Sequence, residues 1–145
     1  MGSPLKATVN WTGKMHFEGN AGFDHVIPID FPPPLGEGAG LRGLELLLIS
    51  MAACSGQTTI SLLQKMQQDV RKFKVTALGT SRDEHPQVLT EIYMEYIFEG
   101  DSLDRALVEK AIRLSEEKYC PVWAMLKPGV KMSYTISMNP APPAK

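Results

Sequence analysis

The chain has 145 residues, 43% hydrophobic and 21% charged, the size and composition of a single globular domain over residues 1–145 rather than of a disordered or low-complexity chain. Its formal net charge is −1 and its pI about 6.3, so no basic excess exists to neutralise phosphates, and nucleic acid is not an expected partner. The most apolar run, residues 44–53, is interrupted by Glu45 and Ser50 and is shorter than the ~20 apolar residues of a membrane span; no membrane contact and no secretory signal are read, and a cytoplasmic location is expected.

Residues 1–4 are set aside from the fold. Residues 6–12 read as a strand, Ala7, Val9 and Trp11 alternating with Lys6, Thr8 and Asn10. Thr12-Gly13-Lys14 is a turn, and residues 15–18 and 26–31 are short strands, which together make an N-terminal meander. Phe31-Pro32-Pro33-Pro34 ends the sheet, because prolines donate no backbone hydrogen bond. Gly36, Gly38, Gly40 and Gly43 then make a flexible loop.

Residues 41–69 form the main helix. From 44 to 54 it has almost no polar face, which predicts burial on all sides. One fold of this size has limited material to cover it, so a partner chain is expected to supply part of the coat. Past Gln57 the helix turns amphipathic, with Ile60, Leu63 and Met66 against Ser61, Gln64, Lys65 and Gln67.

Residues 73–81 and 88–99 pair as a hairpin across Arg82-Asp83-Glu84-His85-Pro86. Ile92, Met94, Tyr96 and Phe98 share one face; Glu91, Glu95 and Glu99 share the other. Asp101 or Ser102 caps a helix over 103–118. Cys120-Pro121 opens a short helical turn through Leu126, since proline suits the first helical position. Residues 130–138 alternate as a half-buried final strand, and 139–145 are expected to fray. No strand–helix–strand alternation builds a parallel sheet, so the class is α+β with antiparallel sheets.

Chemistry-bearing residues are sparse. Gly38-Ala39-Gly40-Leu41-Arg42-Gly43 matches G-x-G-x-x-G literally, but the dinucleotide fingerprint needs a strand directly in front and a βαβ unit around it. Prolines precede the glycines and a hairpin follows the helix, so a plain loop is expected. His16, His25 and His85 have no partner at metal-ligand spacing, and no metal or cofactor is expected. Two cysteines remain, Cys54 and Cys120. Cys54 sits among small residues in Met51-Ala52-Ala53-Cys54-Ser55-Gly56, and a buried thiol without a nearby cation is inert. Cys120 stands at a helix N-terminus, where the dipole favours a thiolate. Two core cysteines and a redox pair are both compatible with these positions.

Gly43-Leu44-Glu45-Leu46-Leu47-Leu48 followed by Ala52-Ala53-Cys54 resembles the helix of the OsmC/Ohr family, the osmotically inducible and organic hydroperoxide resistance proteins. Glu116-Glu117-Lys118-Tyr119-Cys120-Pro121-Val122 resembles its second motif. The order of elements agrees over residues 6–138, and Leu62-Leu63-Gln64-Lys65-Met66 makes the chain most like the YhfA-like branch. The resemblance implies an OsmC-like fold, with antiparallel sheets around long central helices in an intertwined homodimer. It implies a thiol peroxidase, with Cys54 peroxidatic and Cys120 resolving. Organic hydroperoxides would be the substrates, and lipoyl or thioredoxin-type dithiols the reductants. A non-catalytic member of the same fold, binding an apolar ligand or partner in the dimer cleft, is the alternative.

The chain departs from the family pattern at the cation. The well-studied peroxidases carry an arginine in the N-terminal segment or the loop before the helix, oriented by a glutamate ten residues before the cysteine. Here Arg42 is the first arginine in the chain, the glutamate position is Leu44, and Glu45 lies nine residues before Cys54. One residue on a helix is a turn of about 100°. Arg42 and Glu45, three apart, are expected to pair, either as site residues or as a cap on the helix start. Trp123 and Met125 are expected in the core or lining an apolar pocket.

Overall fold

The computed structural model describes residues 2–22 and 24–142; Met1, Phe23 and residues 143–145 lie outside it. The chain divides into two compact units, residues 1–47 and 48–145. The first holds the expected meander, β1 (Thr8–Gly13), β2 (His16–Asn20) and β3 (Ile27–Ile29), paired antiparallel in that order. A bulge between Trp11 and Gly13 leads into the turn, where Gly13 takes φ +123°.

The glycine loop after β3 is tied down rather than free. Asp30 is 3% exposed, and its carboxylate accepts the backbone N–H groups of Phe31 at 2.8 Å and of Glu37 and Ala39 at 3.1 Å. These donors hold the Asp30 carboxyl below the usual carboxylate range, the bond from Ala39 most of all. A Cβ at Gly40 would lie 2.5 Å from the Pro28 backbone, so the glycine permits the close approach that lets Leu41 bridge to Ile29. Close backbone approach accounts for Gly36 and Gly40, and a left-handed φ of +70° for Gly38.

In the second unit, β4 (Lys72–Ser81), β5 (Leu89–Glu99) and β6 (Lys131–Met138) form a sheet with β5 in the middle. The alternation read in the sequence decides its faces. Ile92, Met94, Tyr96 and Phe98 are fully buried, whereas Glu91, Glu95 and Glu99 are half-exposed. β4 and β5 are the expected antiparallel hairpin. β5 and β6, however, run parallel, Glu91 opposite Lys131 through Phe98 opposite Met138. The expectation of antiparallel pairing throughout is corrected at this one pair, while the α+β class stands. Parallel neighbours need a crossover. α2 (Arg105–Leu114), a π turn (Ser115–Tyr119) and α3 (Pro121–Leu126) supply it, and local periodicity says nothing of where such helices carry the chain.

Two boundaries shift for physical reasons. The cap of α2 is Asp104, not Asp101 or Ser102: its carboxylate accepts from Ala106 N–H at 2.9 Å, while Asp101 pairs with Arg71. Asn139, expected in a frayed tail, donates to Phe98 O at 2.7 Å, and its side-chain amide bonds both backbone groups of Gly100. The end of that expected tail, 143–145, lies outside the described residues.

The long helix α1 (Gly43–Lys65) starts in the first unit and runs through the second. It ends earlier than expected because Gln67 adopts a left-handed φ of 58°, with Gln68 N–H donating to Leu63 O at 2.9 Å, a six-to-one closure of the last turn. Met51, Ser55, Thr59 and Leu63, four apart, are the only stripe it fully buries. Ser55 of that stripe meets Tyr96 of β5, and Gly56 beside it lies close to Val75 and Phe73 of β4. Leu44 and Ile49 remain 43% and 50% exposed, so burial on all sides is not achieved within one chain. At 23 residues and a mean hydropathy of 1.6 over its best window, α1 is long and apolar enough to cross a membrane, which residues 44–53 alone do not suggest. Its buried stripe is nonetheless half polar and seated on protein. Phe98, Tyr96, Trp123 and Ile112 complete the core of this unit, each contributing roughly 1.5–3 kcal/mol through burial.

Candidate active site

The two cysteines come together in the second unit. Cys54 lies on α1, half-buried, its carbonyl accepting from the Thr58 hydroxyl at 2.8 Å. Cys120 is 2% exposed. It caps α3: its backbone leaves the π turn with φ −83° and ψ 108°, and its sulfur accepts the Trp123 N–H at 3.4 Å. Proline at the next position starts that helix, as the sequence implies. Both thiols are free, and the Cys54 side chain is a direct neighbour of the Cys120 thiol.

Their environments differ in burial. Burial, with the Cys54 thiol adding to it, pushes the Cys120 thiol up to about 11. The N–H groups of Trp123 and Val122 oppose this but do not prevail. The helix-end effect expected to favour a Cys120 thiolate is therefore outweighed by desolvation, and Cys120 is held as a neutral thiol at neutral pH. Cys54 is the less buried residue of the two.

Arg42 and Glu45 pair with each other at the start of α1. Arg42 Nε and Arg42 N both donate to Glu45 Oε1, at 2.8 and 3.0 Å. Their side chains are 53% and 43% exposed, and Arg42 holds the Glu45 carboxyl below its usual range. The backbone bond from Arg42 is half of a capping box, so the pair also closes the helix start.

Trp123 is core, 1% exposed and edge-on to Tyr134 with ring centroids 6.1 Å apart, whereas Met125 is 71% exposed. His16 bonds Thr12 in the first unit, and among the described residues no group of His, Cys, Asp and Glu could hold a metal ion.

Sequence reading missed a cluster of buried hydroxyls beside the cysteines. Ser55, Tyr96 and Ser115 are all fully buried, and Ser55 Oγ lies 2.6 Å from Tyr96 OH. Burial pushes the Tyr96 hydroxyl far above its ordinary value. Leaving such a hydroxyl unpaired costs about 1–3 kcal/mol, which is why they meet. The available signal was Ser55 at the four-residue spacing of Met51, Thr59 and Leu63, and Tyr96 within an apolar alternation. An apolar groove of about 450 Å³ also runs along α1 past Ala53, between Ile49, Ile60, Phe73 and Val75.

The OsmC-like protein family model matches residues 36–135, which include both cysteines. Protein YhfA of Escherichia coli K12 is 31% identical over 137 residues, 90% of this chain and 96% of that protein. A crystal structure of a hypothetical protein from Aquifex aeolicus is 30% identical, with a TM-score of 0.81 over 96% of this chain and 100% of that one. An organic hydroperoxide resistance protein OsmC from Legionella pneumophila shares the fold at 16% identity, with a TM-score of 0.71 over 93% of this chain and 97% of its own. The chain belongs to the OsmC-like protein family.

Proposed function

We propose that this protein is a thiol-dependent peroxidase that reduces organic hydroperoxides, acting in oxidative-stress defence in the cytoplasm. The observation that carries the reading is the asymmetric dithiol: a half-buried Cys54 against a buried, protonated Cys120. The Cys54 thiolate attacks the distal peroxide oxygen and the O–O bond breaks. The alkoxide leaves and takes up a proton, and Cys54 becomes a sulfenic acid. The Cys120 sulfur then attacks the Cys54 sulfur. Its proton leaves with the sulfenic hydroxyl as water, and a Cys54–Cys120 disulfide remains. A dithiol of the lipoyl or thioredoxin type returns both sulfurs to the thiol state.

Family membership supports a redox role, and the apolar groove along α1 suits the organic part of a hydroperoxide. The same groove favours a second reading, a non-catalytic member holding an apolar ligand. We further propose that the chain is a single OsmC-like domain that works as a homodimer. The exposed Leu44 and Ile49 on α1 support this, as does the first unit, where only Gly19 and Asp30 are buried among the described residues. A unit with no apolar core of its own needs another surface to cover it.

Arg42, held by Glu45, is either the cation that stabilises the thiolate and the leaving oxygen or a helix cap, and substitution separates the two roles. Consumption of cumene hydroperoxide with dithiothreitol tests the function. Wild type should turn over and Cys54→Ser should not; equal consumption by both would overturn the assignment and leave the ligand-binding reading.

A further inference from the structure

Ser55 directly follows Cys54 on α1, and Ser115 opens the π turn that ends at Cys120. Tyr96 belongs to the central strand β5. Their hydroxyls converge in the dry interior. Ser55 Oγ and Tyr96 OH are 2.6 Å apart, Ser55 Oγ and Ser115 Oγ 3.4 Å, and Ser115 Oγ also points at the Ser55 carbonyl, 3.5 Å away. Ser115 has a second tie: its own carbonyl accepts the Cys120 N–H at 2.9 Å. Through one residue, the neighbour of one cysteine is linked to the backbone of the other.

Alanine at 55 and 115 and phenylalanine at 96 would fill nearly the same space without desolvating three hydroxyls. What the hydroxyls add is direction. The π turn adds a residue to the helical turn, so Cys120 N–H reaches Ser115 and not Glu116. The two links differ in tightness. Ser55–Tyr96 is a firm bond to the sheet, whereas the contacts of Ser115 are long for O–H···O. Ser115 is therefore the weaker link of the three, and the one through which the π turn meets α1.

We infer that the Ser55–Tyr96–Ser115 triad is a positioning device for the second redox step: it holds the π turn against α1 and sets how fast Cys120 closes on oxidised Cys54, not how fast Cys54 is first oxidised. This rests on the dithiol reading above. Disulfide closure brings the sulfurs to about 2.05 Å with a narrow dihedral preference, and misplacing reacting atoms by about 1 Å costs on the order of 100-fold.

Oxidised glutathione separates the two steps without peroxide. Cys54 thiolate displaces one glutathione thiolate to give a mixed disulfide; Cys120 then displaces the second to give the intrachain disulfide. Rapid-quench mass spectrometry on wild type, Ser115→Ala and Tyr96→Phe, each checked for native near-UV circular dichroism, follows both. The inference expects adduct formation within about threefold of wild type and ring closure slowed about 10-fold or more, so that the adduct accumulates. With cumene hydroperoxide the same variants should divert Cys54 to sulfinic acid. Closure within about twofold of wild type in both folded variants, or equal slowing of both steps, would overturn it. A wild type that closes with oxidised glutathione yet leaves hydroperoxide untouched would sink the peroxidase reading and leave the triad's role standing.

Discussion

Replacing Cys120 by serine removes a buried sulfur and keeps the cap of α3. Serine is a strong N-cap, so Trp123 N–H retains an acceptor, and the cost at pH 7 should be about 1 kcal/mol or less. The larger effect lies in the pH dependence. Burial, with Cys54 adding to it, raises the Cys120 thiol from 9.0 to about 11 in the folded protein. The folded state thus holds that proton more tightly than the unfolded chain does. The stabilisation is fully present below pH 9 and is lost as pH rises through about 11. At ~1.4 kcal/mol per unit, the loss is on the order of 2 kcal/mol. Serine does not titrate in this range, so the order of stability should reverse: wild type more stable at pH 7, Cys120→Ser more stable near pH 11. Urea unfolding in reducing buffer at fixed protein concentration measures this, and the lysine and tyrosine titrations common to both proteins cancel in the difference. A difference that stays constant from pH 7 to 11 would mean that Cys120 is not held as a neutral buried thiol, and the resolving role built on it would fall.

In peroxide assays Cys120→Ser should complete one turnover and then overoxidise at Cys54 to sulfinic acid, seen by mass spectrometry. Arg42→Ala should slow Cys54 oxidation on the order of 100-fold if the guanidinium serves the reacting sulfur; an unchanged stopped-flow rate with a lowered melting temperature assigns the pair to capping α1. Light scattering at micromolar concentration should give about twice the 16.0 kDa chain mass. Ile49→Asp, which places a charge on the exposed apolar face of α1, should shift the protein to monomer or precipitate it; a soluble wild-type monomer would contradict the homodimer.

Much of the fold is legible in the chain because it is local. The alternation of Ile92, Met94, Tyr96 and Phe98 fixes the central strand, and Cys120-Pro121 fixes the start of α3. The parallel placement of β6 is not legible, since it depends on where two short helices carry the chain. The π turn is hidden too: Ser115 to Lys118 reads as more of the preceding helix until the bond from Cys120 N–H to Ser115 O is seen. At the site, the two cysteine motifs name the sulfurs. The protonation of Cys120 depends on burial that only tertiary packing creates, and it runs against the helix-end expectation there. Nothing in a single sequence marks Ser55 and Ser115, sixty residues apart, as neighbours.

The central claim is that Cys54 and Cys120 work as one redox unit. One equivalent of cumene hydroperoxide added to the reduced protein, followed by non-reducing peptide mass spectrometry, tests it directly. The account expects an intrachain Cys54–Cys120 disulfide in wild type and no oxidation of Cys120 in Cys54→Ser. Reduced cysteines after full consumption of the peroxide, or oxidation of Cys120 that does not need Cys54, would contradict it.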